Sequence, residues 1–192
     1  MELKDTIKKL ADTYYEDLVA IRRHLHAHPE LSYEEVETSK YIAKKLSEYG
    51  IEHETNIGGH GIVGLIKGNN ADQKTIALRA DMDALPIEEK NTCEYVSQNK
   101  GVMHACGHDV HTTSLLGAAK ILNEIKDSFE GTIKLIFQPA EEKLPGGASI
   151  MIKDGVLENP TVATIFGQHV LPQLEIGKVA FRAGIAMASC DE

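Results

Sequence analysis

The stretch GTIKLIFQPAEE, residues 131–142, carries the reading of the fold. Ile133, Leu135, Ile136 and Phe137 form an apolar run of strand length, with Gly131 before it and Pro139 ending it. Such a run suits a strand that is buried rather than one with a wet face. Working outward, 62–67 and 75–80 read as short strands. The polar stretch Gly68-Asn69-Asn70-Ala71-Asp72 between them reads as a hairpin-like turn. Two further apolar strands are expected at 161–166 and 177–181. Leu3, Ile7, Leu10, Tyr14, Ile21 and Leu25 recur mostly at three- and four-residue steps, an amphipathic helix that ends near His28-Pro29. Ser32 and Glu35 have the spacing of a capping box. It would open a second helix with Val36, Ala43, Leu46 and Tyr49 on its apolar side and Gly50 at its stop. A third helix starts near Asp109 and carries Leu115, Ala118, Leu122 and Ile125. A short one runs from Gly146-Gly147 to Asp154. Strands alternating with helices predict an α/β sheet covered on both faces.

The chain has 192 residues, which suits a single domain with a real core. It shows no internal repeat, linker or domain boundary. With 20 Lys+Arg against 29 Asp+Glu, the net charge is −9, and nucleic-acid phosphates would be repelled. No apolar run approaches the roughly 18 residues of a membrane helix, and Met1-Glu2-Leu3-Lys4-Asp5 lacks the layout of a signal peptide. Cys93, Cys106 and Cys190 make an odd count with no framework spacing, so a reducing cytoplasm is expected. The end of the chain, 184–192, has no stop signal, and Ala186-Met187-Ala188-Ser189-Cys190 reads as the start of a further element.

Ligand-type residues concentrate in a few places. His104-Ala105-Cys106-Gly107-His108-Asp109 holds sulfur, imidazole and carboxylate donors, the set that borderline divalent metals use. Gly107 permits the tight turn that lets Cys106 and His108 face one point. Gln138-Pro139-Ala140-Glu141-Glu142 follows the buried strand, where open α/β sheets place their sites. Adjacent carboxylates point in different directions, so one can hold a metal while the other handles a proton. Alone, such a pair is more often a solvated loop. Gly167-Gln168-His169 also follows a strand. Arg79-Ala80-Asp81-Met82-Asp83 sets two Asp on one side of an extended chain. His24 and His28 share a helix face, yet no Glu stands between them in the metalloprotease arrangement, and they read as structural. Gly58-Gly59-His60-Gly61 lacks the Lys-Ser/Thr of a phosphate loop and reads as a turn.

Taken in order, RRHLHAHPELSYEE (22–35), ALRADMDALPIEE (77–89), MHACGHDVH (103–111), FQPAEE (137–142), GGA (146–148) and GQHV (167–170) resemble the metal-dependent amidohydrolases. That group includes hippurate hydrolase, aminoacylases and N-acetyldiaminopimelate deacetylase. The resemblance implies a zinc-peptidase-like, three-layer α/β/α catalytic domain with a mixed, largely parallel sheet. Residues 1–192 would be its N-terminal portion, ending where an inserted lid and dimerisation domain begins. It implies that Cys106, His108, Glu142 and His169 hold two divalent ions, zinc, manganese, cobalt or nickel. Glu141 would be the general base and Asp83 the residue that orients the site, while Asp81 stands where more distant relatives carry a histidine ligand. Lys143-Leu144-Pro145 lengthens the stretch between the Glu pair and the Gly pair, and would reshape one rim. The family's last ligand histidine and its lid have no counterpart here. The implied activity is hydrolysis of small N-acyl amino acids, by a parent that forms a homodimer through the lid, without nucleic acid or membrane. Two other readings stand beside it: a catalytically inactive metal-binding domain, and an aminopeptidase or dipeptidase of the same superfamily. A cysteine-nucleophile reading needs a free thiolate beside a paired histidine, and metal ligation accounts for more of the residues.

Overall fold

The computed structural model describes residues 2–184, so the expectation for 186–190 lies outside the described residues. Helix α1 spans Leu3–Ala27 and α2 Val36–Glu48. Strands β1 (Glu52–Ile57), β2 (Gly61–Lys67) and β3 (Thr75–Asp81) follow, then α3 (His108–Glu124), β4 (Thr132–Gln138), α4 (Gly147–Lys153) and β5 (Val162–Gly167). The five strands form one mixed sheet in the order β1-β2-β4-β3-β5. β1/β2 and β2/β4 run antiparallel, whereas β3 is parallel to both β4 and β5.

Every residue of β4 is buried, including Lys134. An apolar run of this kind gains most in the middle of the sheet, and β4 takes that place between β2 and β3. The expected hairpin between β2 and β3 is therefore wrong. Their connection is instead stitched to the entry of β4, with Gly68 N–H on Gly131 O and Gly131 N–H on Asn69 O. β1 has the polar sequence EHETNI and a mostly exposed edge position, which is why no apolar periodicity betrays it. Residues 58–60 form the turn between β1 and β2, as expected. No strand forms at 177–181, since nothing among the described residues pairs with it, and Val179 and Phe181 face solvent.

The faces of the sheet are covered unequally. Ile21 and Leu25 of α1, Ile42 and Leu46 of α2 and Leu115, Leu116 and Ala119 of α3 pack with Ile62, Ile66, Ala80, Leu135 and Phe137. On the other face, Met151 of α4 and Val156 cover Ala77 and Ile136, while Ile165 of β5, paired with Ala77, stays exposed. Lys134 points to this thinner side and donates from Nζ to the carbonyls of Val156, Glu158 and Pro160 at 2.9, 2.6 and 3.0 Å. No helix among the described residues is long and apolar enough to cross a membrane.

The capping box is replaced by longer-range bonds. The Glu30 carboxylate accepts the N–H groups of Glu37 and Thr38 at 3.1 and 2.7 Å, and so caps α2 from outside it. Ser32 and Glu35 are thereby free for partners far along the chain, and both serve the edge of the sheet that bears the site.

Candidate metal centre

Because β3, β4 and β5 are parallel, their carboxyl ends open on one edge of the sheet, the usual place for a site in such sheets. Asp81 ends β3 and Asp83 lies two residues on; Glu141 and Glu142 follow β4; His169 follows β5. The amino end of α3 meets them there. Gly107, at φ +89°, makes the turn into the helix, and His108 is its first residue. The Glu pair is aimed by a left-handed Ala140 (φ +47°). That unfavourable geometry is held on both sides. Buried Glu35 accepts the Ala140 N–H at 2.7 Å, and Gly147 N–H donates to Ala140 O at 2.8 Å.

His108 lies at the base of the site and is 1% exposed. Its Nδ1 donates to Asp83 Oδ1 at 3.1 Å. Asp83 Oδ2 in turn accepts from Ser32 Oγ at 2.6 Å and from the Glu142 N–H at 3.0 Å. Burial opposes ionisation of Asp83, but these hydrogen bonds prevail and hold its carboxyl below the ordinary range. His108 Nε2, by contrast, is buried with no hydrogen-bond partner. It faces Glu142 Oε1 and Asp81 Oδ1 at 3.7 Å each, and Glu141 Oε2 at 4.0 Å. Cys106 Sγ and His169 Nε2 stand 3.3 Å apart, and these two atoms and a His108 ring nitrogen lie within 4.8 Å of one another. His169 Nδ1 is occupied by Val170 O at 2.7 Å, which leaves Nε2 free to face the centre.

An orphaned, buried imidazole nitrogen ringed by thiol, imidazole and carboxylates is costly unless something fills the point between them. A divalent cation with mixed S, N and O donors fits. The charges agree. Burial, the hydrogen bond to Glu142 and the neighbouring carboxylates push the Cys106 thiol up to about 12. Without a cation it is a protonated thiol and no nucleophile, whereas a coordinating thiol is deprotonated outright. Burial and the charge of Glu142 raise Glu141 above the ordinary carboxylate range, and its side chain is 42% exposed at the mouth of the site.

The structure thus gathers Cys106 and His169 with His108 in one donor group and Glu141 and Glu142 with His108 in another, with Asp83 behind the shared His108. The rest of the 104–109 cluster goes elsewhere. His104 is buried with both ring nitrogens unpartnered, and burial holds its pKa down to about 4. Asp109 turns to α1, where His26 Nδ1 and Arg22 Nε reach its Oδ2 at 2.7 and 3.0 Å. His24 stacks on Tyr41, and His28 Nδ1 bonds to His24 O. Neither belongs to a group of metal donors among the described residues. The residue that sequence reasoning missed is His111, buried between Asp81 and Val170. Its spacing of three from His108 on one helix was the available signal.

The family model described as peptidase family M20/M25/M40 matches residues 77–188. The chain belongs to this family. It is 44% identical over 188 residues to the N-acyl-L-amino acid amidohydrolase of Geobacillus stearothermophilus, covering 98% of this chain and 50% of that protein. It is 47% identical over 192 residues to thermostable carboxypeptidase 2 of Saccharolobus solfataricus, covering 99% of this chain and 47% of that one. A crystal structure of a dinuclear metal binding M20 peptidase from Bacillus subtilis superposes with a TM-score of 0.81 at 44% identity, over 86% of this chain and 46% of that one. The kinship with amidohydrolases and the mixed-sheet α/β class read from the sequence therefore hold. The M20 chain described here spans about half the length of the curated relatives it matches.

Proposed function

We propose that this chain supplies the metal centre and general base of an M20 amidohydrolase that cleaves the amide bond of N-acyl amino acids. The carrying observation is the orphaned His108 Nε2 facing Cys106, Glu142 and His169, with Glu141 at the mouth. Cys106, His108, Glu142 and His169 hold two divalent ions, with Asp83 orienting His108. When bound, the ions supply Lewis acidity that polarises the acyl carbonyl and acidifies a water. Glu141 Oε2 accepts the proton of the attacking water and passes it to the departing amine nitrogen. With the site metal-free its pKa is raised, which strengthens it as the acceptor of the proton. The tether from Ala140 to Glu35 and Gly147 keeps base and ligand from exchanging places. Residues 1–192 form the first part of the catalytic domain. The free thiols Cys93 and Cys106 fit a reducing cytoplasm.

The relative named carboxypeptidase favours a second reading in which the amide is a peptide bond. Hydrolysis of N-acetyl- and N-benzoyl-amino acids is therefore compared with that of dipeptides, on the metal-loaded full-length parent. Preference for the N-acyl substrates is expected, and preference for dipeptides overturns the substrate assignment. In the full-length parent, Glu141→Gln is expected to retain metal and lose about 10²–10⁴-fold in turnover. Glu142→Gln is expected to lose metal first, and the opposite pattern in elemental analysis reverses the two roles.

A further inference from the structure

His111 lies with Asp81 and His108 in a fully buried trio that has the composition of a second metal site. Its hydrogen bonds speak against that use. His111 Nδ1 meets Asp81 Oδ1 at 2.6 Å, and His111 Nε2 receives the Val170 N–H at 3.0 Å. A backbone N–H can only donate, so Nε2 is the acceptor and the ring is neutral with its proton on Nδ1. Both nitrogens are used. Asp81 is also spent: its Oδ2 accepts from Arg79 Nη1 at 2.6 Å, Arg79 Nε is tied to Gln138 Oε1 at 2.9 Å, and the Asp81 carbonyl accepts from Thr112 Oγ1 at 2.8 Å. A cation in the trio would have to displace the guanidinium and break the bond to Val170.

What His111 reaches is more informative. His169 is exposed and lies beyond the end of β5, an edge strand with little cover on its outer side. Two restraints from α3 bear on its loop. His111 holds the Val170 N–H, and Gly107 lets Val170 approach so closely that a Cβ there would meet Val170 Cγ2 at 2.5 Å. The Val170 carbonyl takes Nδ1 of His169, so both main-chain groups of Val170 are engaged, one by each histidine. The two rings stand edge to face with centroids 4.6 Å apart.

We infer that His111 is a positioning residue, a neutral strut from Asp81 on β3 to Val170 that keeps His169 Nε2 opposite Cys106 Sγ. The inference rests on the metal-centre reading given under Proposed function, and part of its test is independent of metal. Two substitutions split the strut. His111→Asn keeps a donor near Nδ1 for Asp81 and offers Val170 no acceptor. His111→Gln places a carbonyl oxygen near the old Nε2 and can still receive the Val170 N–H.

The experiment uses the full chain with Co(II) alone as the probe. Affinity and thiolate-to-cobalt charge-transfer absorption are read, beside amide exchange at Val170 in metal-free protein. For His111→Asn we expect affinity to fall about 10–100-fold, as for other lost supports of a ligand. The charge-transfer band should weaken and Val170 exchange faster. For His111→Gln we expect values close to the parent. Equal losses in both variants, or an Asn variant with parent-like affinity and a protected Val170, overturn the strut. If a variant fails to fold, the ¹⁵N shifts of His111 in the parent decide: an Nδ1-protonated ring is expected, and an Nε2-protonated ring refutes the assignment. Failure of the parent to bind Co(II) sinks the metal reading instead, while exchange and tautomer still judge the strut.

Discussion

Asp83→Asn is the sharpest test of how the centre is held. The two carboxylate oxygens of Asp83 have different duties: Oδ1 takes His108 Nδ1, and Oδ2 takes both Ser32 Oγ and the Glu142 N–H. An asparagine must put its NH₂ on one side. The Ser32 hydroxyl can rotate and accept, but the Glu142 N–H can only donate, so the amide carbonyl stays on that side. The NH₂ then faces His108, whose Nδ1 must become an acceptor, and the ring proton moves to Nε2, the atom aimed at the metal position. Loss of a ligand's orienting partner costs about 10–100-fold in affinity, or about 1.4–2.8 kcal/mol. Asn carries that loss and an imposed wrong tautomer as well. Asp83→Ala leaves room for water and lets His108 keep its tautomer. The expected order of affinity is therefore parent, then Ala, then Asn, although Asn is nearer in shape and should melt closer to the parent. Competition titration with a chromophoric chelator, alongside thermal melts, reads both quantities. An Asn variant that binds metal at least as tightly as Ala, or variants within about twofold of the parent, would refute the argument.

Other outcomes follow from the same contacts. His26 is held between Asp109 and Glu89, chiefly by its hydrogen bond to Asp109, and its pKa is raised. Its contribution is therefore complete below its unfolded value of about 6.5 and is lost as pH rises through the higher folded value. Urea midpoints of the parent should fall on going alkaline more than those of His26→Gln, and parallel pH profiles would remove this role. Lys134→Met leaves three carbonyls at 2.6 to 3.0 Å without their donor; those of Glu158 and Pro160 lie near solvent and turn to water, so only the buried Val156 carbonyl is left unsatisfied, at a cost of about 1–3 kcal/mol. A midpoint unchanged by the substitution would mean that water replaces the ammonium. His24→Gln with His28→Gln should leave bound metal unchanged by elemental analysis, and any loss would make that pair a site.

Much of the fold was open to reading because it rests on local rules. The apolar run of β4, the three- and four-residue steps of α1 and the glycines ahead of α4 each announce an element within a few residues. The order of strands is not local. Nothing between Lys67 and Thr75 says that β4, more than 50 residues later, will enter between β2 and β3. The turn signal at 68–72 is genuine, and a turn followed by a strand fits a hairpin as well as a widened crossover. The false capping box has a similar origin. Ser32 and Glu35 have the right types and spacing, and they are drawn away by buried partners, Asp83 and the Ala140 N–H, that are 51 and 105 residues distant. Two bonds at the site edge outweigh a cap that Glu30 can replace.

The 104–109 cluster shows where composition stops and geometry begins. As a string it offers His104, Cys106, His108 and Asp109 as equal donors. Once His108 opens a helix, the residues are no longer equal. The next position is turned about 100° away and the third returns to nearly the same face. Asp109 must then look toward another element and finds Arg22 and His26 of α1, while His111 comes back beside His108 and finds Asp81. His104, before the tight turn at Gly107, is buried, and burial keeps it neutral despite the carboxylates of Asp109 and Asp83 nearby. One donor of the string thus anchors α1 to α3, one is silent, and Cys106 and His108 remain to face His169 and Glu142. The helix start is what sorts them, and it depends on Gly107: its φ of +89° strains any L side chain, and a Cβ there would meet Val170 Cγ2 at 2.5 Å.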